Sequence, residues 1–183
     1  MASTASLAAT LPRQADNTER HNEDHTGDKF AVYTLVSVPP ATLQELEDAL
    51  NADDQEELSC KLAPNPDFSE KTLRDVYDHY VAVRDTEDYA EMNPTCFIVA
   101  DQLDWTTKGV LLVNLGVWGD GDENDVNGVD VARCGVDEAG SWLINLEIAN
   151  MDWSECKDAE EEKWSVGGEG DGEESEDEGE DQE

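Results

Sequence analysis

Six polar residues, Asp101, Asn114, Arg133, Asn145, Asn150 and Asp152, are set inside or at the ends of apolar segments. That is where binding chemistry would sit, because a polar group taken out of water costs free energy unless it is paired. Asp101 closes the run Cys96-Phe97-Ile98-Val99-Ala100, and Asn114 interrupts Val110-Leu111-Leu112-Val113-Asn114-Leu115. Arg133 stands in a third apolar stretch, while Asn145, Asn150 and Asp152 bracket the segment that ends at Trp153. Positive charge is scarce here, so a carboxylate such as Asp101 or Asp152 is the natural partner for Arg133, through charge-assisted hydrogen bonds. These groups could line a ligand site, or they could be caps, turn residues and one ion pair that fix the fold. The second use is the favoured expectation.

A second cluster, Asp120-Gly-Asp122-Glu-Asn124-Asp125, places oxygen ligands at alternate positions, as a hard cation requires. An EF-hand loop counted from Asp120 would need Gly at its sixth position and Glu at its twelfth, where this chain has Asp125 and Val131. The expectation is no cofactor, with Asp120, Asp122 and Asn124 offering at most a weak Ca²⁺ or Mg²⁺ site. Nucleophilic catalysis needs a nucleophile, a base and a group that orients the base. The three histidines are His21, His25 and His79, and two of them fall in a polar leader. His21 and His25 have metal-ligand spacing, but no apolar face would hold them on a helix. No G-x-S-x-G elbow or phosphate-cradling glycine loop is present. No catalytic residue is assigned.

Charge narrows the partners. Eleven basic residues face forty-six acidic ones, a net charge of -35. Such a balance disfavours nucleic acid and anionic membranes, which need a basic footprint, and it suits a basic protein partner. Four cysteines, Cys60, Cys96, Cys134 and Cys156, are scattered without a C-x-x-C pair. That pattern fits a reducing compartment, the cytoplasm or the nucleus, rather than a disulfide framework. No stretch approaches the length of a membrane span, and residues 1–13 lack the charged and apolar regions of a secretory signal.

The elements that would position these residues follow from periodicity. Phe30–Val38 is β-branched and aromatic and is stopped by Pro39-Pro40, which predicts a strand. Thr42 and Glu45 have capping-box spacing ahead of Leu46, Ala49 and Leu50, which predicts a helix starting there. Leu58–Leu62 reads as a short strand ended by Pro64 and Pro66. Leu73, Val76, Tyr77 and Tyr80 fall at i, i+3, i+4 and i+7, one face of a helix that leaves Asp75 and Asp78 outside and His79 on the flank. Asp85–Pro94 reads as an acidic loop. The two apolar runs around Ile98 and Leu112 are continuous enough to be strands covered on both faces, in mid-sheet. A long acidic loop over 116–128, a strand over 128–136 and an extended segment over 142–149 come next. Asp152 and Glu155 predict a capping box for a last helix.

The series Phe97-Ile98-Val99-Ala100-Asp101, the run from Val110 to Leu115, Arg133 and the closing Asn145-Leu146-Glu147-Ile148-Ala149-Asn150-Met151-Asp152-Trp153 together resemble an uncharacterised domain-of-unknown-function family of bacteria and fungi. Its members carry F-x-V-x-D, V-L-V-V-D-L and F-R-V-x-P strands and a closing N-L-S-x-A-N-M-D-F. The resemblance spans Phe30 to about Cys156, and the closing motif is its specific part. Asn114 stands where that family has Asp, Ala132 where it has Phe, and Leu143 and Ile144 where it has polar residues; Cys156 replaces an aromatic. The resemblance implies a fold and no activity.

The expectation is therefore an α/β or α+β domain over 30–163, a mixed sheet of about five strands with helices packed on it. A disordered leader, 1–29, and a disordered acidic tail, 164–183, would flank it. The leading functional expectation is a non-enzymatic protein-binding or regulatory module for a basic partner. The alternative is a weak metal-assisted, hydrolase-like enzyme using Asp101, Asp152 and the loop 120–128.

Overall fold

The computed structural model describes residues 3–15, 27–52, 59–118 and 126–165. Its centre is a five-stranded mixed sheet in the order β2-β1-β3-β4-β5. β1 (Lys29–Thr34) is parallel to both β2 (Cys60–Asp67) and β3 (Met92–Ala100), while β4 (Val110–Trp118) is antiparallel to β3 and to β5 (Val126–Cys134). β3, the most continuously apolar segment, is the central strand. Alternate residues of a strand point to opposite faces, and β3 feeds two cores. Phe97 and Val99 join Leu111, Val113 and Val131 on one face; Ile98 and Ala100 join Val110, Leu112 and Cys134 on the other.

Each parallel crossover carries an α-helix. α2 (Pro40–Leu50) links β1 to β2 and buries Leu46 and Leu50 on the Ile98 face. It begins two residues before the predicted capping box: Pro40 opens the helix, and the Pro39 carbonyl accepts from the Thr42 and Leu43 N–H groups. Proline suits that position because its missing N–H would have had no partner there. α3 (Leu73–Val83) links β2 to β3 and buries its predicted stripe on the Phe97 face, with a capping box made by Thr72 and Asp75. β2 runs on through Pro64 and Pro66, where the sequence suggested a stop. An edge strand tolerates them because an outward-facing residue needs no ladder N–H.

A short helix, α4 (Trp105–Lys108), and Gly109 turn β3 into β4. Gly109 has φ +67°, and a Cβ there would stand 2.1 Å from the Cys134 carbonyl oxygen, so only glycine fits.

The expected loop over 85–94 holds a 3-10 turn, Glu87–Tyr89, and the start of β3, and two further expectations need correction. The segment over 142–149 is no strand: α5 (Ala139–Glu147) buries Ala139 and Leu143, an i, i+4 pair, with Trp142 and Leu146 beside them. Leu-Ile-Asn-Leu-Glu-Ile reads as β from its branched residues, but amphipathic packing on the sheet decides the outcome. The leader is not uniformly without structure either. Residues 4–8 form a short helix, α1 (Thr4–Ala8), and Leu11 and Ala15 are buried in the Phe97-face core. The last helix is where the capping box placed it, α6 (Trp153–Glu160), and a π-helical turn, Glu161–Ser165, extends it.

Candidate functional site

Asp101 follows β3 directly and keeps the side-chain parity of Val99. The register pairs Val99 with Leu111 and Leu111 with Arg133, so Arg133 projects on that same face, two strands away. Its guanidinium reaches across β4 as a fork. Nη1 donates to Asp101 Oδ1 at 3.0 Å, Nη2 donates to Oδ2 at 2.7 Å, and Nη1 also donates to the Lys108 carbonyl at 3.0 Å. The side chains are 4% and 12% exposed. This pair lies past the carboxyl end of β3, on the side of β4 and β5, with both carboxylate oxygens facing the cation.

Asn114 lies elsewhere, on the Ile98 face, level with Cys96 on β3 and Asp130 on β5. Its Oδ1 accepts from Gly116 N–H at 2.7 Å, where the β4–β5 register slips between Asn114 and Val117. It serves the bulge. Asp130 accepts from the Val131 N–H at 2.8 Å and from the Trp153 indole N–H at 2.9 Å, which ties the start of α6 to the sheet. Asn93, at the opposite end of β3 from Asp101, accepts from the Thr95 and Cys96 N–H groups and donates to Glu147 Oε1 at 3.2 Å. Through Asn93 and Asp130, the α5–α6 corner sits over the Cys96–Asn114–Asp130 row.

The corner itself explains the closing motif. Ile148 ends α5 and Ala149 takes a left-handed φ of 54°. Ala149 N–H donates to Leu146 O, and Asn150 N–H donates to Asn145 O at 2.8 Å, the two bonds of a Schellman stop. The Asn145 side chain donates back to the Ser141 carbonyl and accepts from the Asn150 amide at 3.0 Å. Asp152 then caps α6, with Glu155 returning the capping box. Asn145, Asn150 and Asp152 stop one helix and start the next.

Reactive groups are muted. All four cysteines are buried and outside disulfides. Burial pushes the Cys96 and Cys156 thiols up to about 12 and Cys134 well above its usual range, so the thiolate that nucleophilic chemistry needs is disfavoured. His79 is half-buried against Phe68, with Nε2 3.3 Å from Tyr89 Oη; the Tyr33 hydroxyl donates to Tyr89 Oη at 3.2 Å. Loss of solvation lowers the His79 pKa. Asp120, Asp122 and Asn124, like His21 and His25, lie outside the described residues. Asp101 stands at one end of β3. Asp152 belongs to a corner moored near Asn93, eight residues or roughly 25 Å along the strand at its ordinary rise.

The six candidates thus divide into an ion pair, a bulge and a helix corner. Sequence reasoning missed Asn93, Asp130, Thr4 and Glu160, each of which bonds across a long separation. Only Asp130, polar within an apolar alternation like Asn114, carried a local signal.

The chain belongs to the family described as Domain of unknown function (DUF6924), whose model matches residues 32–166. No curated protein and no solved structure matches it.

Proposed function

We propose that this member of DUF6924 is a non-enzymatic binding or regulatory module that engages a basic protein partner through its acidic surface. One observation carries the proposal: a net charge of -35 is combined with candidate site residues whose polar groups bond to other groups of the same chain. Exposed carboxylates remain on every side of the sheet, including Glu45 and Asp48 on α2, Asp75 and Asp78 on α3, and Glu155 and Asp158 on α6. A partner with clustered lysine or arginine would be steered to this surface from a distance and would release counterions on docking. Retention of a discrete partner at about 20 mM salt and its loss at about 500 mM, where the screening length shrinks severalfold, is the expected outcome. Capture insensitive to salt would overturn an electrostatic mechanism. The reducing interior of a cell, cytoplasm or nucleus, suits four buried thiols that form no disulfide.

The metal-assisted hydrolase alternative draws no support from the geometry, because Asp101 faces Arg133 and Asp152 caps a helix. With ionic strength held constant at about 300 mM, so that general screening is already complete, Ca²⁺, Mg²⁺, Mn²⁺ or Zn²⁺ at millimolar concentration is expected to leave the melting temperature within about a degree. A rise of several degrees would restore that alternative.

A further inference from the structure

Residues 3–15 lie outside the span matched by the family, yet they pair with the edge of its sheet through one bridge and pack on its core. β5 is an edge strand, and an open edge presents unpaired backbone groups. Here Gln14 forms an antiparallel bridge to Gly128, and the Val129 N–H donates to the Arg13 carbonyl at 3.3 Å. Leu11 and Ala15, 7% and 5% exposed, enter the cluster that holds Val113, Leu115, Val129 and Val131, with Leu7 packed against it. At the other end Thr4 Oγ1 donates to one oxygen of the Glu160 carboxylate. Glu160 is a buried acid, and its second oxygen accepts from Lys157 Nζ at 2.7 Å. The same ammonium donates to the Val131 carbonyl at 2.7 Å, so α6 and the segment meet at the β5 edge.

The segment is held by backbone pairing at one end, a polar anchor at the other and apolar residues spaced by four between them. That is how a peptide adds to a sheet edge. A helix of five residues, α1, has no stability of its own; its order comes from the surface it lies on.

We propose that the face of β4 and β5 bordered by α6 is a peptide-docking groove, and that residues 3–15 are its intramolecular occupant. The groove takes a short segment with aliphatic residues at positions like Leu7 and Leu11, a hydroxyl donor for Glu160, and an extended stretch that pairs with Gly128 and Val129. As part of the same chain the occupant is present at an effective concentration on the order of millimolar, so it shields the groove against weaker competitors. This goes beyond recognition of a basic partner, since its contacts are apolar and backbone-borne and depend little on salt.

The test uses the full chain with a specific protease site placed within 16–26. After cleavage, the amino-terminal fragment is expected to co-elute with the rest at tens of micromolar. A labelled synthetic peptide of residues 1–15 should exchange for it, and the emptied domain should keep a cooperative melt. The same peptide carrying Leu7→Asp and Leu11→Asp should bind about a hundredfold more weakly or worse, because both leucines lose their apolar contacts. Three results would each overturn the proposal: immediate separation of the cut fragment, unfolding of the domain once the fragment leaves (the segment is then integral core), or equal competition by the aspartate peptide.

Discussion

The guanidinium of Arg133 and the carboxylate of Asp101 form a two-bond ion pair between two of the residues that looked functional. Removing one member of a buried pair leaves an uncompensated charge, so Arg133→Met alone should destabilise by about 3–5 kcal/mol, whereas Asp101→Leu with Arg133→Met should recover most of that loss. Urea titration of the three proteins checks it; a double variant as weak as the single one would contradict a purely structural pair. His79 supplies the pH prediction. Its folded pKa lies below the unfolded value, so the unfolded chain binds more protons between the two values. Its contribution is fully present above about pH 6.5 and is lost as pH falls through the lowered folded pKa. Wild type should lose stability between pH 7 and 5.5 faster than His79→Phe, with melting temperature as the readout; identical slopes would contradict the assignment to His79.

At the scale of elements, the α5–α6 corner joins a helix stop to a helix start with an alanine in a left-handed conformation. Ala149→Gly should stabilise by about 1 kcal/mol, since glycine adopts that conformation without the Cβ clash. Asp152→Ala should cost about 1 kcal/mol through loss of the α6 cap. Chemical denaturation reads both. The same corner shows why some of the fold was legible in the sequence and some was not. The α6 cap and the α3 stripe are local, set by residues three or four apart, and both predictions were right in place and kind. The Arg133–Asp101 partnership was also legible, because one cation among apolar neighbours leaves few choices. α5 was misread because its branched residues favour a strand in isolation, and only the sheet beneath them makes Ala139 and Leu143 an inward face. The roles of Asn114 and Asn145 were hidden for a related reason: a bulge and a Schellman stop depend on register and chain path.

For the whole molecule, charge dominates. Forty-six acids against eleven bases repel one another in the compact state. Raising NaCl from about 10 to 300 mM should therefore raise the melting temperature by several degrees, as screening shortens from about 30 Å to less than 10 Å. A melt that falls with salt would mean that specific ion pairs outweigh the repulsion. The same charge underlies the proposed function, and it separates surface recognition from the polar residues that first looked like a site and that bond within the fold instead. The most direct test is capture from cell lysate by wild type and by the folded Asp101→Leu, Arg133→Met double variant, each at low and high salt, with retained proteins identified by mass spectrometry. The account predicts the same basic proteins on both, released together by salt. A partner held by wild type at high salt and lost by the double variant would contradict it and make the Asp101–Arg133 pair a binding site.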